Sequence, residues 1–221
     1  DALLDAIDGM IYGPSPAQGF VMGQRFAHPE LRLEFTYPDG YELANQPEAV
    51  IGRRDDRLII FDIGEDESGG GPRRYLERDW LGEANLQNVR TFRTAGGLDA
   101  AVGYAQVQLS GRPAQGGFVV LQGPGDTVYR FALLTGRFGD AEERDLMATA
   151  DSFERLTAAE AAELKPQRVR LVTVREGDTV DTFARQMDVD ALPRETFITL
   201  NGLDRGQILA AGERVKIIVR G

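Results

Sequence analysis

The chain contains a single histidine, His28, and no cysteine. Metal ligation and nucleophilic catalysis would have to be built from very few donors. A zinc-binding His-Glu-x-x-His helix needs two histidines one helical turn apart, with the glutamate as base. His28 is followed by Pro29 and has no second histidine to pair with, so it reads as a packing or turn residue. Ser15, Ser68, Ser110 or Ser152 could be joined to it in a triad, but no Gly-x-Ser-x-Gly turn presents one of them. Glu65-Asp66-Glu67 beside Gly69-Gly70-Gly71 lacks the alternating ligand spacing of a calcium loop. The three glycines are not followed by the Lys-Ser/Thr of a phosphate loop. That segment reads as a solvated, mobile loop. Asp55-Asp56 among Arg53, Arg54 and Arg57 reads as a charged hairpin turn. Trp80, Tyr104, Tyr129 and Phe131 fall in helical or alternating patterns without surrounding positive charge, which fits a core better than a stacking platform. No paired carboxylates mark a general acid–base cleft. The chain itself is therefore expected to be non-catalytic.

Composition narrows the partners. The 221 residues are 42% hydrophobic and 27% charged, the balance of an ordinary globular chain long enough for one large or two small domains. A formal net charge of -10 argues against a nucleic-acid surface or an anionic-membrane patch, both of which need clustered positive charge. No apolar run approaches the ~20 residues that span a bilayer. No basic segment followed by an apolar one marks a signal peptide. The chain begins at Asp1 without methionine, from which a fragment of a longer protein is expected.

The elements can be placed by period. Residues 1–10 form a short amphipathic helix with Leu3, Leu4, Ile7 and Met10 on one face. Leu31, Leu33 and Phe35 alternate with polar residues as in a half-buried strand, turned by Tyr37-Pro38-Asp39-Gly40-Tyr41. Further strands are predicted over 49–52, 58–63, 89–94, 98–109, 116–122 and 127–135. Helices are predicted over 75–81 and 140–150. The turn signals between them give antiparallel hairpins, hence an α+β domain. Thr157-Ala158-Ala159-Glu160 is a capping box that opens a linker helix ending before Pro166.

The last fifty residues carry the clearest grammar. An apolar strand closes on Gly177-Asp178-Thr179. Val180, Phe183, Ala184 and Met187 then follow at helical spacing, with Asp178 or Thr179 as N-cap. A second helix opens at Pro193, buries Phe197 and Leu200, and ends at Asn201-Gly202. After turns at Gly206 and Gly212, residues 214–219 form a closing strand. The predicted order is strand, helix, helix, strand.

Val174, Gly177, Asp178, Thr179, Ala184, Val189, Leu200, Asn201, Gly202, Leu203, Leu209, Gly212, Val215 and Ile217 make this end resemble a LysM domain, over about a quarter of the chain. Phe183 stands where an aliphatic residue is usual, and the link over 188–195 looks longer than usual. The resemblance implies a βααβ fold that binds N-acetylglucosamine polymers such as peptidoglycan and chitin. The sugar groove would lie between Gly177, Asp178, Thr179 and Val180 on one loop and Gly206, Gln207, Ile208 and Leu209 on another. The alternative is that Gly177-Asp178-Thr179 is only a turn and a cap.

Phe35-Thr36-Tyr37-Pro38-Asp39-Gly40-Tyr41 and the strands after it are similar to PsbP-like domains over residues 29–156. The order of Ile7-Asp8-Gly9-Met10-Ile11-Tyr12-Gly13, Pro16-Ala17-Gln18-Gly19-Phe20-Val21, His28-Pro29-Glu30-Leu31, the PsbP-like region and the LysM-like end resembles the region downstream of the catalytic domain in bacterial zinc metallopeptidases of the HtpX/BepA type. That resemblance implies a periplasmic or cell-envelope location and a role in envelope protein quality control. It places zinc in an upstream protease domain outside this chain. It divides the chain into a connector (1–28), a PsbP-like α+β domain (29–157), a helical linker (158–170) and a LysM-like domain (171–221). A free-standing envelope binding protein with no protease attached is the alternative. A small hydrolase using acidic residues of the middle region is a weaker one.

Overall fold

The strand Thr127–Thr135 has no polar face. Tyr129, Phe131 and Leu133 enter one core, while Val128, Ala132 and Leu134 enter another. Such a strand needs cover on both sides, and that requirement organises the larger part of the molecule. The computed structural model describes residues 2–82, 84–189, 191–204 and 206–221, with side chains from Leu4 onward. In chain order the elements are α1 (Ala2–Ile7), a 3-10 turn (Pro16–Gln18), β1 (Phe20–Met22), β2 (Arg25–His28), β3 (Leu33–Thr36), β4 (Glu42–Asn45), β5 (Val50–Arg54) and β6 (Arg57–Glu65). Then come α2 (Gly71–Arg74), a π-helical turn (Tyr75–Trp80), β7 (Gln87–Arg93), β8 (Asp99–Leu109), β9 (Arg112–Gln122), β10 (Thr127–Thr135), α3 (Asp140–Asp151), β11 (Glu154–Arg155) and α4 (Ala158–Glu163). The chain ends with β12 (Gln167–Thr173), α5 (Val180–Ala184), α6 (Pro193–Asn201) and β13 (Arg214–Arg220).

The fold is α+β with antiparallel sheets. Seven strands run in the order β4-β5-β6-β10-β9-β8-β7, four in the order β1-β2-β3-β11, and β12 pairs with β13. One face of the large sheet packs on α3 and on Leu33, Phe35 and Phe26 of the four-stranded sheet. The other face is covered by Tyr75, Leu76 and Trp80 of the π-helical turn. Phe35 is 1% exposed, and the rings of Phe26, Tyr37, Phe61, Phe131 and Phe153 lie with centroids 4.5 to 6.4 Å from its own. Tyr37 lies flat over Gly52, where an added Cβ would come within 2.5 Å of its ring, and its hydroxyl donates to the Val50 carbonyl at 2.8 Å. The β5–β6 hairpin is clamped to α3: Arg54 and Arg57 both pair with Asp145, and Arg57 also pairs with Glu142. The Asp55-Asp56 turn is thus charged, as read, with two of its three arginines, Arg54 and Arg57, paired to a helix.

Several expectations are corrected. The first helix stops at Ile7 because Gly9 takes φ +82, and Met10 is exposed rather than on an apolar face; the side chain of Leu3 lies outside the described residues. Leu31 is exposed and precedes its strand, because Arg32 adopts φ 51 and breaks the alternation. The helix expected over 75–81 begins at Gly71 and widens into a π turn. The acidic loop is not solvated throughout. Asp66 is buried, and its carboxylate accepts from Ser68 N–H, Ser68 Oγ and Gly71 N–H, so it ties the glycine run to the start of α2. The Ser68 hydroxyl and then the loop amides hold its pKa below the usual carboxylate value against the effect of burial. Strands β4 and β11 had no sequence counterpart; both are short, and β11 is exposed at both residues.

The described residues before Pro29 are knitted into the structure. β1 pairs with β2 and β2 with β3, while residues 9–12 run beside β12: Gly9 and Tyr12 N–H donate to Val169 and Gln167 carbonyls, and Val169 N–H donates to the Met10 carbonyl. β12 itself begins at Gln167, inside the segment expected to be linker.

Candidate functional site: the two loops of the βααβ unit and an inter-sheet cleft

The C-terminal β12-α5-α6-β13 unit has its own core, centred on Val174, Phe183, Phe197, Leu209, Val215 and Ile217. Phe183 and Phe197 stack at 5.5 Å with an interplanar angle of 10°. The aromatic at 183 therefore fills the gap between the two helices. Asn201 fastens α6 to β13: its amide donates to the Lys216 carbonyl at 2.9 Å and accepts from Lys216 N–H at 2.7 Å. Gly202 then takes the left-handed conformation (φ 62) that ends the helix.

Of the predicted groove residues, Gly177 sits at φ +86 in an open turn. Asp178 accepts from Arg175 N–H at 2.8 Å, and Thr179 is the N-cap of α5, exchanging hydrogen bonds with Thr182. Asp178 Oδ2 and Thr179 Oγ1 are thus engaged locally, as in the turn-and-cap alternative. Val180 is half-buried against the unit's core. On the second loop, Gln207 and Asp204 exchange hydrogen bonds, Leu209 is buried, and Ile208 is 89% exposed. Val180 and Leu209 both pack in the unit's core. Among the described residues no hydrogen bond joins 177–180 directly to 206–209.

A second site was not legible. A cleft of about 630 Å³ opens between the four-stranded sheet and the edge of the large one, in the range usual for ligand pockets. Phe26, His28, Leu31, Asn45, Glu48, Phe61, Ile63 and the Asp62–Arg130 pair line it. Arg130 grips Asp62 through Nε and one terminal nitrogen at 2.7 and 2.6 Å, donates to Tyr75 Oη at 3.1 Å, and lies 5.2 Å over the Trp80 ring. The available signal was a charge in each of two otherwise apolar strands, at facing positions 62 and 130.

His28 serves both the turn and the cleft. It is 8% exposed, and its Nδ1 accepts from Leu31 N–H at 3.2 Å, so the neutral form carries its proton on Nε2. Burial pushes its pKa below the usual value; a backbone hydrogen bond with Ala17 and the Glu30 charge act in the opposite sense. As the sole histidine it can be followed without assignment, and its NMR titration is expected to have a midpoint below 6.5. The unfolded chain then takes up this proton first as pH falls below ~6.5. Stability should decline from there to the folded midpoint and level off below it, and His28→Gln should remove that increment. A midpoint above 6.5 would contradict the buried placement.

The described residues hold no group of three or more His, Cys, Asp or Glu placed to bind a metal ion. No described helix is long and apolar enough to cross a membrane.

No family model matches the chain, and no curated protein matches it. Solved structures do. CyanoP, the cyanobacterial PsbP protein of Synechocystis, is 17% identical over 65% of this chain and 98% of its own, with a TM-score of 0.47. A protein from Bacteroides thetaiotaomicron is 14% identical over 75% of this chain, with a TM-score of 0.42; the match spans 59% of that protein's length. LpqN of Mycobacterium tuberculosis, described as involved in cell envelope biogenesis, is 12% identical over 57% of this chain and 83% of its own, with a TM-score of 0.37. A PsbP protein is thus among the chains this one is similar to. At these identities and TM-scores the likenesses carry no argument about function.

Proposed function

We propose that this chain is the non-catalytic binding region of an extracytoplasmic envelope protein, accessory to a zinc metallopeptidase domain. The βααβ unit takes N-acetylglucosamine polymers at its two-loop end, and the larger α+β unit serves protein interaction. The observation that carries the glycan reading is the contrast on the second loop: Ile208 is 89% exposed while its neighbour Leu209 is 7% exposed and anchors the loop in the core. A fixed loop then offers an apolar surface to a pyranose ring, and the open turn at Gly177 has a backbone that a sugar can approach. With Asp178 Oδ2 and Thr179 Oγ1 engaged locally, recognition would run mainly through backbone groups and apolar contact, with Asp178 Oδ1 as a further acceptor.

Cosedimentation with insoluble chitin and with peptidoglycan tests this reading. The chain should be retained, and Ile208→Asp should cut the bound fraction at least threefold with an unchanged thermal midpoint. No retention of the unaltered chain on either polymer would defeat it.

A further inference from the structure

The cleft beside His28 has one wall that is an unfinished strand edge. The β5–β6 turn has two residues, so Arg54 and Arg57 form a hydrogen-bonded pair, and by alternation Ile59 and Phe61 also turn their backbone groups toward β5. That ladder stops at Val50 opposite Phe61, because the β4–β5 hairpin turns back there. β6 continues for four residues, 62–65, still paired with β10 on its other side. Ile63 is next in the alternation, so its N–H and C=O point to an edge where no described strand lies. Its side chain is 38% exposed, and Leu31 across the cleft is 47% exposed.

We propose that this cleft takes an extended peptide segment with alternating apolar and basic side chains, added as a strand along β6 at Ile63. Backbone pairing to an open edge favours a peptide over other ligands, and pockets for alternate side chains supply its specificity. The apolar side chains would rest on Phe26, Leu31 and Ile63. The charge follows from the lining: Arg130 is the one cation there among the described residues, and its charge is matched by the bidentate pair with Asp62, whereas Glu48 is exposed at the rim. The inference deepens the protein-interaction half of the proposed function and rests on it. It is independent of glycan binding, which is read at the opposite loops.

The test is titration of the full chain with acetyl-Lys-Val-Lys-Val-Lys-Val-amide, followed by backbone amide shifts. Shifts should centre on Ile63, Leu31 and residues 45–49. The same peptide N-methylated on alternate residues, in either register, should bind at least tenfold more weakly, and a glutamate-for-lysine peptide likewise. Ile63→Pro removes an N–H that the β6–β10 ladder does not use, and should weaken binding about tenfold. Ala49→Trp, which fills the cleft, should abolish it. Should the proline variant fail to fold, the methylated peptides on the unaltered chain still decide. Equal binding of methylated and parent peptides, or no shift at millimolar peptide, would overturn the proposal. Shifts confined to another face of the large sheet would overturn the cleft while leaving protein interaction standing.

Discussion

Replacing Phe35 with alanine is expected to lower stability by about 3–5 kcal/mol, the range for a buried ring that leaves a cavity its neighbours cannot fill. Five aromatic rings surround Phe35, and they come from β2, the residue after β3, β6, β10 and the segment after α3. It is the point where the small sheet is joined to the large one. Collapse is restricted because the same rings also pack on one another, Phe61 on Phe131 and Tyr129 on Phe153. Thermal unfolding should report the loss as a fall of roughly 6–20 °C in midpoint. The amide shifts of Val215 and Ile217 should stay in place below that transition, since the C-terminal core shares no residue with this one. A midpoint within a degree or two of the unaltered chain would mean that Phe35 is not the junction.

Asn201→Leu should have the second largest effect, and a local one. The substitution leaves Lys216 N–H and C=O without their partner on α6, each at a cost of about 1–3 kcal/mol, partly relieved by water at this half-buried site. The expected loss is about 2–4 kcal/mol, confined to the βααβ unit. Hydrogen exchange at Lys216 should accelerate about 30-fold or more, while the β9–β10 amides keep their protection. Asn201→Asp should fall between the two. It keeps an acceptor for Lys216 N–H but sets an oxygen against the Lys216 carbonyl. Unchanged exchange at Lys216 would show that α6 is held by its apolar contacts alone.

The sequence was most legible where local rules and tertiary packing agree. Thr179, Pro193 and Gly202 each occupy the cap position their chemistry favours, and the βααβ order could be read from them. The long hairpin strands were legible because β8 and β10 are apolar and bounded by turn residues. Illegible features depended on contacts distant in sequence. Asp66 looked like loop charge because its partners are the backbone of a helix that had not been placed there. Leu31 fitted the alternation of β3 until the left-handed Arg32 broke the register. The cleft is the extreme case. It arises because β6 outlasts β5 by four residues and because a second sheet passes over the gap, and neither fact is written in residue types. Asn201 was recognised as a helix end, but its second role as the clamp on β13 depends on Lys216, fifteen residues away.

The account turns on whether the two loops of the C-terminal unit recognise sugar. Titration of the full chain with chitin oligomers and soluble peptidoglycan fragments, followed by backbone amide shifts, tests this most directly. The account predicts saturable shifts confined to residues 177–180 and 206–209, largest at Gly177 and Ile208 and absent in Ile208→Asp. No shifts at millimolar oligomer, or shifts scattered away from these loops, would contradict it and leave the βααβ unit as a structural cap.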